Sequence, residues 1–100
     1  MRYALLDNIR SLKDMVRIDC MCTDYEFWQF VDYIIKGLDS MNWFENKNPR
    51  AVLGGVIYWC MIEKECNITQ QDVANSLKIQ TVSIRKHYHQ LKEYMDKNFI

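Results

Sequence analysis

Apolar residues recur along this chain at helical spacing, and short polar clusters with helix-start signals break them into segments. Leu5, Ile9, Leu12 and Val16 fall on one face of a first helix, with Arg2, Arg10, Lys13 and Arg17 on the others. Thr23-Asp24-Tyr25-Glu26 has the form of a capping box, in which the threonine hydroxyl and the glutamate carboxylate each accept from an orphan backbone N–H. A second helix is expected from there to about Met41, turning Phe27, Phe30, Val31, Ile34, Ile35 and Leu38 inward. Asn48-Pro49 then sets a good N-cap before a proline at the first helical position, where the missing N–H is not needed.

The third helix, Pro49 to about Glu63, is apolar almost all round, which places it at the centre of a bundle. Its apolar run, Ala51 to Ile62, has 12 residues. A bilayer crossing takes about 20. Gly54 and Gly55 are poor helix formers, each costing about 1 kcal/mol relative to alanine, and so predict a neighbouring helix that crosses closely there. Thr69-Gln70-Gln71-Asp72 is a second capping box, opening a short helix with Val73, Ala74 and Leu77 inward. Lys78-Ile79-Gln80 is the turn, and Thr81 caps a last helix whose Ile84, Tyr88, Leu91 and Met95 form one buried stripe. With no strand pattern, repeat or linker in between, the expected fold is all-α: one domain over residues 1–100, built of five helices.

Composition agrees with an ordinary globular domain, at 49% hydrophobic and 26% charged residues with three glycines and one proline. A chain of this length buries a core without staples, so Cys20, Cys22, Cys60 and Cys66 are not needed for folding. The N-terminus has charges spread through it and no apolar stretch before a cleavage site, so an intracellular location with reduced, free thiols is expected. Thirteen basic residues balance thirteen acidic ones, yet the two signs are segregated. From Asp19 to Lys47 six acidic residues face two basic ones, whereas from Lys78 onward five basic residues face two acidic ones and two histidines are added. The basic end of the molecule is the last helix.

Residues 69–95 have the layout of a helix-turn-helix: a short helix with alanine at its crossing point, a three-residue turn and a second helix. In such motifs the first residues of the second helix enter the major groove of duplex DNA. Here Ile84 and Tyr88 face inward, which leaves Val82, Ser83, Arg85, Lys86 and His89 outward. Arginine donates two parallel hydrogen bonds to guanine, and valine touches a thymine methyl. Val82, Ser83, Arg85 and His89 are therefore the candidate base contacts, and Thr69, Lys78, Lys86 and Lys92 the candidate phosphate contacts.

The segment from Asn48 to Leu91 resembles the second half of a cyclin-like repeat of the general transcription factor IIB family, which includes archaeal transcription factor B. The resemblance is carried by Asn48-Pro49 followed by Gly55-Val56-Ile57-Tyr58, by Thr69 to Ala74, and by Val82 to Arg85 with Tyr88. It implies a five-helix cyclin fold with the third helix enclosed by the other four. It also implies recognition of promoter-like double-stranded DNA, with the family's base-contacting valine and arginine falling on Val82 and Arg85. TATA-binding protein or RNA polymerase components are the protein partners it implies, in a nucleus or, in an archaeal cell, in the cytoplasm at the nucleoid. One repeat stands where the family has two, and the paired CxxC motifs of a zinc ribbon are absent, so a complete basal factor is not expected.

Other signals are weaker. Cys20-x-Cys22 lacks the second cysteine pair of a structural zinc site, and His87 and His89 lie on opposite sides of one helix, so neither a metal nor another cofactor is expected. No nucleophile–base pairing or glycine-rich phosphate loop points to an enzyme or to a small-molecule substrate. The second helix carries Tyr25, Phe27, Trp28, Phe30 and Tyr33, more aromatic surface than one buried face holds. Trp28 and Tyr33 then mark a protein-binding patch in the alternative reading, a cyclin-like interaction module that does not touch DNA.

Overall fold

Asn48 starts the central helix as its sequence dictates. In the computed structural model, which describes residues 2–98, its side-chain oxygen accepts from the N–H groups of Arg50 (3.0 Å) and Ala51 (3.3 Å), with Pro49 in the first turn. Five α-helices follow one another: α1 (Arg2–Asp19), α2 (Tyr25–Ser40), α3 (Pro49–Lys64), α4 (Gln70–Leu77) and α5 (Thr81–Asn98). There is no strand among the described residues, and no helix among them is long and apolar enough to cross a membrane. Met1, Phe99 and Ile100 lie outside the described residues, as do the side chains of residues 2–4 and with them the outward face expected for Arg2.

Helix α3 packs against all four of the others. Its residues from Ala51 to Ile57 are buried without interruption, so it has no solvent face along two turns. The two glycines mark the closest crossing, and the neighbour is α5. A methyl group on Gly55 would stand 2.6 Å from His87 Cβ and 2.8 Å from the Tyr88 nitrogen, so the backbones of α3 and α5 meet there. Gly54 lies against Ile84 and Ile79.

Three sequence expectations need correction. The cap of α2 is Asp24 and not Thr23: its carboxylate accepts from the Phe27 N–H at 3.1 Å. A carboxylate at that point also meets the positive end of the helix dipole, which favours it over a hydroxyl one residue earlier. Thr81 is the first residue of α5 and not its cap. The Ile79 N–H already closes the end of α4 on the Ala74 carbonyl (3.1 Å), so Gln80 alone intervenes, and its carbonyl accepts from Ser83 (3.0 Å) and Ile84 (3.4 Å). Trp28 is core and not surface. It is 5% exposed, stands edge-on to Phe27 at 4.9 Å, and its indole N–H donates to the Cys22 carbonyl at 3.3 Å.

The segment between α2 and α3 is also part of the core, which its irregular sequence conceals. Phe44 is 1% exposed, Trp43 lies against Tyr94 of α5 with ring centroids 4.6 Å apart, and the Lys47 ammonium stands over the Trp43 ring, 4.4 Å from its centroid. Helix α1 is tied to α4 by the buried Ser76 hydroxyl, which donates to the Asp19 carboxylate at 2.7 Å. It is tied to α2 by Lys13 and Arg10, both facing Asp32 (3.4 and 3.6 Å).

Candidate nucleic-acid interface

The short helix α4 is held at both ends by its own sequence. Thr69 Oγ1 accepts from the Asp72 N–H (3.1 Å) and the Asp72 carboxylate accepts from the Thr69 N–H (3.0 Å), a complete capping box. Ile68 and Val73, the two positions of a hydrophobic staple, are both buried. At the other end Lys78 takes the left-handed conformation (φ 58°, ψ 47°), with its N–H on Asn75 (3.4 Å) and that of Ile79 on Ala74 (3.1 Å). These two bonds make a Schellman motif, with lysine where glycine is usual. The turn that presents α5 is thereby fixed by backbone bonds.

Helix α5 divides into two faces. Ile84 and Leu91 are fully buried, and His87, Tyr88, Tyr94 and Met95 are half-buried. Tyr88 stands edge-on to Tyr58 of α3 at 5.0 Å, and His87 Nδ1 lies 2.9 Å from the Ser83 carbonyl. The opposite stripe, Val82, Arg85, Lys86, His89 and Lys92, is exposed along three turns. Of the other sequence candidates, Ser83 is half-buried at the edge of the stripe, while Thr69 and Lys78 are exposed at the two ends of α4. From Val73 to Lys92 the chain contains no acidic residue but four basic ones and both histidines.

The candidates differ in how free their polar groups are. Arg85 Nη1 donates to Gln70 Oε1 at 2.8 Å, across the corner between α4 and α5, which uses one of the five donors of the guanidinium and orients the rest. Lys92 pairs with Asp96 one turn on (3.5 Å), and the acidic residues Glu93 and Asp96 end the basic stripe. Thr69 has its backbone N–H and its hydroxyl oxygen in the capping box, with the Asp72 carboxylate beside it.

Two residues of this region escaped the reading of the sequence. Gln70 is the partner that positions Arg85, and Arg50, in the first turn of α3, donates from Nη1 to the Leu77 carbonyl at 3.1 Å. The Arg50 bond places a guanidinium at the negative end of α4, where it satisfies an orphan carbonyl and complements the dipole. Its one sequence signal is a cation after the Asn48-Pro49 start, which does not say what lies 27 residues away. Among the described residues no group of three or more histidine, cysteine or carboxylate side chains is arranged to hold a metal ion. Compared with protein-family models, with curated proteins and with solved structures, the chain finds no match.

Proposed function

We propose that this chain binds duplex DNA as a transcription factor or regulator, with α4, the turn and α5 acting as a helix-turn-helix inside a cyclin-like five-helix repeat. The observation that carries the reading is the outward stripe of α5, which offers Val82, Arg85, Lys86, His89 and Lys92 on a helix anchored through its other face to α3. An unbroken run of twenty residues without a carboxylate, Val73 to Lys92, supports contact with a polyanion. The enclosed position of α3 and the motif residues Val82, Arg85 and Tyr88 support the factor-B-like form of the reading, in which TATA-binding protein or polymerase components are the protein partners. In this form Arg85, oriented by Gln70, reads a base edge, and Lys78, Lys86 and Lys92 hold phosphates.

Binding to a random duplex in a salt series, followed by selection of a preferred site, tests the proposal. Affinity is expected to fall steeply with salt. On the selected site Arg85→Ala loses about 1–3 kcal/mol, and on random duplex it loses little. An equal loss on every duplex makes Arg85 a phosphate contact, and no salt-dependent affinity at all removes DNA from the account.

In that event the second reading, a protein-interaction module, takes its place. It is favoured by an apolar groove of about 690 Å³ lined by Tyr33, Ile34, Met41, Trp59 and Met95, where Tyr33 and Met41 remain exposed. Trp28, buried in the core, takes no part in it.

A further inference from the structure

Helices α1 and α3 both stop at a residue of positive φ, and their ends lie together. Helix α1 closes in a Schellman motif, with the Met21 N–H on Ile18 (3.1 Å), the Cys22 N–H on Arg17 (3.3 Å) and Met21 itself left-handed at φ 52°. Helix α3 ends on Glu65, also at positive φ (40°). The residue after each left-handed position is a cysteine, and the two meet: Cys22 Sγ and Cys66 Sγ are 3.5 Å apart, although 44 positions separate them in the chain. Both are half-buried thiols on the wall of an open cavity of about 320 Å³, together with Cys20, Thr23, Asp24 and Asn67. The Trp28 indole N–H holds the Cys22 carbonyl, so the first loop is anchored to the core, and the second loop runs directly into the capping box at Thr69.

We propose that Cys22 and Cys66 form a reversible disulfide in exchange with a low-molecular-weight disulfide such as oxidised glutathione, making this corner of the bundle a redox modification site. A disulfide bond is about 2.05 Å long, so each sulfur has to move by only about 0.7 Å, a rotamer adjustment in loops that already face each other. The other two thiols of the molecule compete poorly. Burial, followed by the carboxylates of Asp72 and Asp19, pushes the Cys20 thiol up to about 11, and Cys60 is buried inside α3.

The exchange balances without further reagents. One thiolate of the pair attacks a sulfur of oxidised glutathione, breaks its S–S bond and releases one glutathione, which takes up the proton lost by the cysteine. The second cysteine, losing its own proton, attacks the protein sulfur of that mixed disulfide and releases the second glutathione. The two cysteines together lose two electrons and two protons, and one oxidised glutathione becomes two reduced ones. Burial and the adjacent Cys22 thiol push the Cys66 thiol up, so the exchange quickens as pH rises above neutrality.

The folded chain, incubated with oxidised glutathione, quenched in acid and mapped by peptide mass spectrometry, provides the test. The expected product has lost two hydrogens, carries one cross-link between the peptides of Cys22 and Cys66, and returns to the starting mass with dithiothreitol. Its melting temperature rises by roughly 10 °C or more, because the bond closes a long loop in the unfolded chain. Cys22→Ser and Cys66→Ser each stop at the mixed disulfide, and Cys20→Ser still gives the cross-link. A persistent glutathione adduct on the wild-type chain, a cross-link through Cys20, a cross-link formed only in denaturant, or stoichiometric zinc that blocks the thiols would each overturn the proposal. The wild-type map decides the matter even where a serine variant fails to fold.

Discussion

A methyl group added at Gly55 would lie 2.6–2.8 Å from the Cβ, the carbonyl carbon and the following nitrogen around His87, closer than carbon atoms approach one another without displacement. Two of those three atoms are backbone, so relief requires α5 to move off α3 and not one side chain to turn. Gly55→Ala is expected to destabilise the fold by about 1–3 kcal/mol, and Gly55→Leu by more. At Gly54 the nearest atoms are side-chain carbons of Ile84 and Ile79, at 2.9 and 3.0 Å, so the alanine substitution there is milder. Gly37 is the contrast: it sits exposed in α2 with nothing within 4 Å of an added methyl group, and Gly37→Ala should stabilise by up to about 1 kcal/mol through helix propensity alone. Urea unfolding of the three alanine variants checks the order. A Gly55→Ala variant as stable as the wild type would mean that the α3–α5 crossing is looser than these distances.

At the scale of elements, the extents of α2, α3 and α4 were legible to within about a residue, whereas the caps of α2 and α5 and the backbone conformations that close the helices were not. Asn48 and Thr69 announce α3 and α4 because a short polar side chain before an apolar run has one favourable use, accepting from the first N–H groups. The ends lack the glycine that normally signals them: Met21, Asn42, Lys78 and Glu65 all hold positive φ where α1, α2, α4 and α3 stop. The core position of Phe44 was hidden for a similar reason, since no periodic pattern runs through an irregular segment. Of the candidate interface, Val82 and Arg85 could be found from their place just after the turn. Gln70 and Arg50 could not, because their partners lie 15 and 27 positions away and no local rule links them. The short helix α4 allows stability and binding to be separated. Thr69→Ala removes its capping box and should cost about 1 kcal/mol. Lys78→Gly relieves a left-handed lysine and should gain about 1 kcal/mol, yet it deletes a proposed phosphate contact. That variant is expected to melt higher and to bind random duplex more weakly, and a parallel rise in both quantities would remove Lys78 from the interface.

Over the whole molecule the neutral total conceals a division that the packing order explains. The acidic segment from Asp19 to Lys47 includes α2, which packs on α1 and α3 and on neither α4 nor α5. Helices α2 and α5 share the groove lined by Tyr33, Ile34, Met95 and Asp96, at the end of α5 far from Val82 and Arg85. At physiological ionic strength the Debye length is about 8 Å, so exposed carboxylates of α2 farther than that from the first turns of α5 act weakly on a polyanion lying there. The carboxylates carried by α4 and α5 themselves are Asp72, beside Thr69, and Glu93 and Asp96 at the far end of α5, where Asp96 lies 3.5 Å from Lys92 in an exposed pair of little intrinsic strength. With Lys78, Lys86 and Lys92 each releasing one counterion from the duplex, log K should fall with log salt at a slope of roughly −3. Lys86→Gln should flatten the slope by about 0.9, because Lys86 is exposed with no carboxylate between Val73 and Lys92 to share it. Lys92→Gln should flatten it less, since Asp96 already neutralises part of that charge. The distinguishing variant is Asp96→Asn, which frees Lys92 without adding any charge of its own. It should raise affinity for random duplex at low salt and steepen the slope. If its affinity equals that of the wild type, Lys92 lies beyond the DNA, and the contact surface ends one turn earlier, at His89.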